Sequence, residues 1–572
     1  MKMIFSYLSP YKRRMTVGLT IKIIGTFAEL FIPYLLTYIL ETVIVTKKIN
    51  QIVLYGGLML LCAVIASLGN IIANRMAAYV TKEFSRSLKK DLFSKTLYLS
   101  SRDVDAFTIP SLESRITTDT YNVQNFVGMM QRMGVRAPFM LLGGVAITLF
   151  MDKALSLVMI ATMPIIFVIV YSISRKGVPL YTDVQKSVDS MVRVVREDAQ
   201  GIRVIKALSK NEYENKRYDK VNFALTKKES KAGIIMSSVN PFMTLLMNLG
   251  IAGVVALAAY RVNIGASSTA TVIAFMQYFT LISMSMMALS RMFVMYTKCA
   301  ASAGRIAEVI NTPDKFTVTV DNSNEDTENY ISFENVSFSY LGKKPNLENI
   351  SLSVKKGGSL GIIGATGSGK STFVKLLLRF YDVYNGVIKI NGRNIKSYTR
   401  EELSSLFGVA LQNDFLYADT VAENIRFGRE ISDIDMFRAA RIAQADDFIT
   451  AFADGYNHKL SSKGTNISGG QKQRLLIARA VANNPEILIL DDSSSALDYK
   501  TDLALRKAID KEMKESTVIT VAQRVSSVKS CDLIIVLEHG KIIGMGKHED
   551  LLENCIEYRE ISDSQMGGAI ID

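Results

Sequence analysis

Six long apolar runs in the first half of the chain limit its fold more than any other feature. They lie near residues 15–40, 52–73, 133–151, 154–174, 234–260 and 270–296. Each approaches the roughly 20 residues that a helix needs to cross a bilayer. Backbone groups inside hydrocarbon must be satisfied within the segment itself, so such runs read as transmembrane helices. The chain has 572 residues, 49% of them hydrophobic, and a mean hydropathy of +0.19. That length exceeds one ordinary core and implies at least two domains. The opening segment Met1–Met15 reads as a short interfacial helix leading into the first run, with no cleavable signal peptide.

The net charge is +13, and its placement decides what it means. The connections after the first, third and fifth runs carry little charge, chiefly Lys47, Lys48, Lys153 and Arg261. Residues 75–126 and 175–231 are long and basic, with Arg75, Lys82, Arg86, Lys89, Lys90, Arg193, Arg196, Arg203 and Lys206 among them. The positive-inside rule then places both termini and the long loops in the cytoplasm. The basic excess is an orientation signal, and no nucleic-acid partner is expected, because no basic stripe with base-stacking aromatics is present. The long loops keep helical periodicity at Val184–Ala199 and Tyr213–Leu225. They are expected to be extensions of the membrane helices, joined by short transverse helices near Asp103–Ser114 and Ile202–Asn211, well placed to touch a second domain.

Two ionisable residues fall inside the first run. Lys22 is near the cytoplasmic end and is expected to snorkel to the interface. Glu29 is deeper. It is either a functional group or the structural partner of a polar group on a neighbouring helix. Methionines concentrate in the fifth and sixth runs, among them Met243, Met247, Met284, Met286 and Met287. They suit either ordinary helix packing or an adaptable cavity. The four cysteines form no paired or metal-like spacing, and the three histidines are dispersed, so neither a disulfide framework nor a zinc site is expected.

After Thr312–Pro313 the composition changes. A polar stretch, Asp321–Asn329, reads as a linker, and strands and helices then alternate as in an α/β domain. The expected division is a membrane domain over 1–312, a linker over 313–330 and an α/β domain over 331–572. The strongest motif is Gly364–Ser371, GATGSGKS, directly after the apolar strand Ser359–Ile363. It fits the phosphate-binding loop G-x-x-x-x-G-K-[ST]. Backbone N–H groups of Gly364, Ala365, Thr366, Gly367, Ser368 and Gly369 approach the phosphates of ATP. Lys370 neutralises the β- and γ-phosphates, Ser371 offers its hydroxyl to Mg²⁺, and Thr372 follows in the helix whose N-terminus faces the phosphates. ILILDD, Ile487–Asp492, makes a buried strand that delivers Asp491 to the metal. ISGGQKQR, Ile467–Arg474, has Ser468 as a helix cap and Gly469–Gly470 with backbone N–H groups free to meet an anion, followed by Gln471.

At these residues the chain resembles the ATP-binding-cassette (ABC) family, whose signature is LSGGQ. The order of phosphate loop, signature and acidic strand matches as well. The resemblance implies further roles. Tyr340 in VSFSY looks like the aromatic that stacks on adenine. Gln412 in VALQNDF looks like the glutamine that reaches Mg²⁺ and signals to the membrane domain. Ser495–Asp498 looks like the D-loop, with Asp498 at the nucleotide. The first half looks like the six-helix exporter type, giving a membrane α-helical domain fused to an α/β phosphate-loop ATPase.

Two positions depart from the family pattern. The residue after the acidic strand's Asp is usually a Glu that polarises the attacking water, and here it is Asp492. Its carboxylate is withdrawn by about 1.5 Å, and a misplacement of that order can cost ~10²-fold in an in-line attack. The family's switch histidine is replaced by Gln523 in TVITVAQR. Glutamine can donate to a γ-phosphate but cannot carry charge. The nearest histidine, His539, lies in another turn. Together these changes imply a site that holds ATP and turns it over slowly. The resemblance then implies a heterodimer with a second half-transporter that carries Glu and His, this chain's intact signature serving the partner's ATP. The expected function is export of a hydrophobic or amphipathic substrate (multidrug, lipid or peptide type) across a bacterial plasma membrane, in contact with membrane lipid. A leader-cleaving peptide exporter is disfavoured, since no peptidase domain precedes the first run. The alternatives are import of metal-chelate ligands on the same fold or an ATP-gated membrane sensor.

Overall fold

A computed structural model describes residues 2–320, 329–340, 342, 344–412, 414–493 and 495–566. Most of the expected linker Asp321–Asn329 lies outside the described residues. The chain divides into two compact units, one of Met1–Leu97 with Ile109–Thr312, the other of Tyr98–Thr108 with Pro313–Asp572.

The first unit is all helical. Six stretches are long and apolar enough to cross a membrane: Lys2–Val43, Ile49–Leu97, Ile109–Met151, Lys153–Ala207, Asn211–Asn263 and Thr269–Ile310. The second of them alone has 49 residues, about 74 Å of helix against a hydrocarbon layer of about 30 Å. The apolar runs are therefore the middles of helices that continue well past the bilayer. Small residues let the first two spans approach closely. A Cβ on Gly69 would lie 3.4 Å from the Cα of Gly25, and Ala66, Ala73 and Ala77 are buried beside it along the same helix.

Three local expectations need correction. The transverse segment near Asp103–Ser114 is two short helices, Ser101–Phe107 and Ile109–Ser114. They are separated at Thr108, whose φ is 65°, immediately before Ile109–Pro110. No separate helix spans Ile202–Asn211. The fourth span runs unbroken to Ala207, and the fifth begins at Asn211 after a turn in which Ser209 has φ 50°. GIRVIKA continues the long helix despite its glycine and β-branched residues. Lys22 does not snorkel. It is 4% exposed, and its ammonium donates to Asn70 Oδ1 at 2.6 Å and Asn74 Oδ1 at 3.0 Å. Two side-chain acceptors on the second span hold it inside the helix pair. Glu29 has a structural partner, the Arg136 guanidinium at 2.8 and 2.9 Å from its two oxygens.

The second unit contains two sheets. A four-stranded sheet is built from β1 (Ile331–Phe338), β2 (Leu347–Val354), β4 (Asn385–Ile390) and β5 (Arg393–Asn394), in the order β2-β1-β4-β5. A six-stranded sheet adds β3 (Ser359–Ile363), β6 (Phe407–Ala410), β7 (Ile487–Asp491), β8 (Thr517–Val521), β9 (Leu533–Glu538) and β10 (Lys541–Gly546), in the order β10-β9-β3-β8-β7-β6. Strands β9, β3, β8, β7 and β6 run parallel and β10 pairs antiparallel at the edge. All five residues of β7 are buried, as a strand covered on both faces requires. The parallel arrangement brings the carboxyl ends of β3, β7 and β8 together, where open α/β sheets bind ligands.

The segment Tyr98–Thr108 packs within this second unit. The Tyr381 hydroxyl donates to Asp105 at 2.6 Å, Lys315 pairs with Asp103, and the Arg400 guanidinium donates to the carbonyl of Tyr98. Burial and the Asp105 carboxylate both push the Tyr381 phenol up.

Candidate nucleotide site

The loop after β3 has the backbone that phosphates need. Gly364 has φ 153°, and a Cβ there would meet the carbonyl oxygen of Leu537 at 2.1 Å. Gly367 has φ 84° and open space where a Cβ would stand. A side chain at the first position is excluded by contact and at the second by conformation. The helix Lys370–Leu377 begins directly after the loop. Lys370 folds back over it, donating to the carbonyls of Gly364 at 2.7 Å and Ala365 at 2.8 Å. Burial pulls the Lys370 ammonium down, and the carboxylates of Asp492 and Asp491 oppose that pull.

Gly367 and Lys370 wall a cavity of about 710 Å³ that also includes Thr366, Gly369, Ser371, Thr372, Gln412, Asp491, Asp492 and Gln523. Its volume suits a nucleotide-sized ligand. The donor set fits ATP with Mg²⁺. Ser368 Oγ is buried without a partner at the edge of the phosphate loop. Ser371 and Asp491, two oxygen-bearing side chains suited to Mg²⁺, share the wall of this cavity. Burial pushes Asp491 up, with the charge of Asp492 adding to it and Ser371 and Lys370 opposing.

Asp492 is the centre of a specific arrangement. It has φ 49° and is fixed by its own N–H, which donates to the Val521 carbonyl at 2.8 Å. One of its oxygens, Oδ2, accepts from the amide of Gln412 at 3.1 Å and from the amide of Gln523 at 3.1 Å. The two departures read from the sequence are thus hydrogen-bonded to each other.

Other residues fall elsewhere. Tyr340 does not wall this cavity. It packs edge-to-face on Phe338 at 4.9 Å and on Tyr381 at 5.0 Å, reaches Thr372 Oγ1 with its hydroxyl at 3.3 Å, and lines a second cavity of the same unit. Ser468 caps the helix Gly469–Val481, and Gln471 closes a reciprocal capping box. Ser468, Gly469, Gly470 and Gln471 stand outside the cavity that holds Lys370. Asp498 is a helix cap here. Its two oxygens accept from the Thr501 N–H at 2.9 Å and the Thr501 hydroxyl at 2.7 Å, and it does not line the cavity that holds Lys370. Those two bonds, the backbone one first, hold its carboxyl below the usual range.

Several residues of the site carried no role in the sequence. His539, set aside as lying in another turn, is on the cavity wall. The β9–β10 hairpin is tied to the phosphate loop by the Gly540 N–H on the Ser368 carbonyl at 3.0 Å. Gln473 links the signature helix to the acidic strand, donating to the Asp492 carbonyl at 3.1 Å and accepting from the Ala496 N–H at 3.2 Å. Gln565, on the last described helix, holds Gln523 through its carbonyl at 2.9 Å and Val525 through its N–H at 2.9 Å. Gln473 was legible as part of ISGGQKQR. Nothing local marked His539 or Gln565.

Fold and site together define a multi-pass membrane protein fused to a phosphate-loop ATPase. Residues 15–286 match the family model ABC transporter transmembrane region, and residues 347–495 match the family model ABC transporter. An uncharacterized ABC transporter ATP-binding protein of Mycobacterium tuberculosis is 31% identical over 99% of this chain and 98% of its own length. The uncharacterized ABC transporter ATP-binding protein YfiB of Bacillus subtilis is 32% identical over 99% of each. The chain belongs to the ABC transporter family. Its fold is that of a structure described as a bacterial Atm1-family ABC exporter with ATP bound, with TM-score 0.82, 23% identity, and coverage of 97% of this chain and 98% of the other.

Proposed function

We propose that this chain is one subunit of a heterodimeric exporter that moves a hydrophobic or amphipathic substrate across a bacterial plasma membrane, with both termini cytoplasmic. Its own ATP site is slow, and its signature serves the partner's ATP. The observation that carries this reading is the convergence of Gln412 and Gln523 on Asp492 Oδ2. Both amides occupy the oxygen that would face an attacking water, and neither amide can take up charge. Loss of a well-placed base typically costs about 10²–10⁴ in rate.

In this reading Lys370 and the loop N–H groups bind and orient the triphosphate. Ser371, Asp491 and Gln412 would hold Mg²⁺, which supplies charge neutralisation at the phosphate oxygens when bound. Asp498 and the signature residues Ser468–Gln471 meet the nucleotide of the partner. Tyr340 meets adenine after the base enters beside Thr372. Closure passes into the membrane helices through Tyr98–Thr108, which is covalently continuous with the second and third spans.

The test is ATPase activity of the purified chain alone and together with a half-transporter carrying Glu and His at the two positions. Negligible activity alone with robust activity of the pair is expected. Robust activity alone would show that Asp492 and Gln523 suffice and would remove the reason for a heterodimer. Ser468→Ala should lower hydrolysis more at the partner's site than at this one, read by site-resolved nucleotide trapping.

A further inference from the structure

We propose that the membrane unit contains an anion-receiving site built from Lys22, Arg132 and Arg136, so that the ligand taken up there carries an acidic group on an apolar body. Calling that ligand a transported substrate rests on the export reading; the site itself does not.

The case begins with Lys22. It is 4% exposed and its ammonium meets only two neutral amide oxygens, of Asn70 and Asn74. A buried ammonium without a counter-charge is costly, and ionisable groups within membrane spans mark ligand or ion paths. Its electrostatic neighbours are Arg136, Glu29 and Arg132, three cations, with Lys22 included, to one carboxylate. That carboxylate is already taken, since both oxygens of Glu29 accept from Arg136 Nη2. Among the described residues neither Lys22 nor Arg132 has a carboxylate within ion-pair distance. Glu29 lies seven residues beyond Lys22, about 10 Å further along the same helix.

One unused donor belongs to the site itself. Arg136 Nε is buried and makes no hydrogen bond. Surplus positive charge and an unsatisfied N–H donor ask for the same complement, an oxyanion: a phosphate, carboxylate or sulfonate. A cationic amphiphile would meet net repulsion here. The oxyanion can arrive on a soluble amphiphile or on a lipid headgroup.

The full-length protein in phosphatidylcholine nanodiscs is titrated by calorimetry with dodecyl phosphate and with dodecyltrimethylammonium. The phosphate is expected to bind roughly tenfold or more tightly than the ammonium. Arg132→Gln, at an exposed and unpaired side chain, should weaken phosphate binding. Glu29→Gln should strengthen it, because Arg136 is released from its carboxylate. Equal affinity for the two probes, or binding indifferent to both substitutions, overturns the proposal. Repeating the titration in phosphatidylglycerol nanodiscs separates the sources. Dodecyl phosphate excluded by lipid that is itself retained in an Arg132-dependent way identifies a headgroup site, and undiminished titration identifies a soluble amphiphile. Absent ATP-driven flux with the anion preference intact would sink the export reading alone.

Discussion

The two units bury opposite things. In the ATPase unit the large apolar side chains are inside: Ile487, Leu488, Ile489, Ile519 and Ile535 are all 0% exposed. In the membrane unit many of them face outward, as with Leu60 at 69%, Leu142 at 68% and Phe150 at 91%, while Ala66, Gly69, Ala73 and Ala77 line the contact between helices. Water drives the first arrangement. Lipid is as apolar as leucine, so in the second unit close packing of small residues selects the partners. Two lysines, Lys370 half-buried and Lys22 buried, differ in the same sense. Lys370 has Asp491 and Asp492 close by, whereas Lys22 has amides and two arginines. The first stands on the wall of the nucleotide cavity, and the second is held between the first two spans.

The sharpest way to break this comparison is to place a charge on each side of it. Ile489→Asp puts an unpaired carboxylate in the middle of β7, and a loss above about 4 kcal/mol is expected. Failure of the ATPase unit to fold would be read as lost expression and proteolysis of that half. Survival of the unit would mean that the core is looser than its burial implies. Lys370→Ala should come next, costing about 2–5 kcal/mol of ATP affinity with the thermal transition of the apo protein kept. Unchanged binding of a fluorescent ATP analogue would remove the phosphate-loop assignment. Gly69→Leu should cost roughly 1–3 kcal/mol by overpacking the first two spans. Gly57, with nothing within 4 Å of an added Cβ, is the control, and equal loss of thermal stability at both would show that small residues do not select the contact. The smallest effect belongs to Leu60→Ala, expected within about 0.5 kcal/mol in detergent. A loss like that of a core leucine would mean that this face is covered.

The residues of the candidate nucleotide site were largely legible because the chemistry of such a loop is local. A phosphate loop needs glycines, a lysine and a hydroxyl at fixed offsets, and the strand before it needs only an apolar run. The spans were legible for a related reason: each must satisfy its backbone alone, so length and apolarity suffice. Their ends were less so. Helical periodicity continues past the bilayer, and nothing in GIRVIKA says that the helix ends at Ala207 and not sooner.

Only tertiary structure could decide what depends on residues far apart in the chain. Gln412 and Gln523 are more than a hundred residues apart, and their sharing of one Asp492 oxygen follows from the order of β6, β7 and β8 in the sheet. His539 and Gln565 joined the site through a hairpin and a terminal helix that no local pattern marks. Lys22 looked able to reach the interface, yet the second span presents Asn70 and Asn74 to it. Residue types and short spacings specify which chemistry a segment can support. Which segments meet is settled by packing, where free energy depends on all neighbours at once.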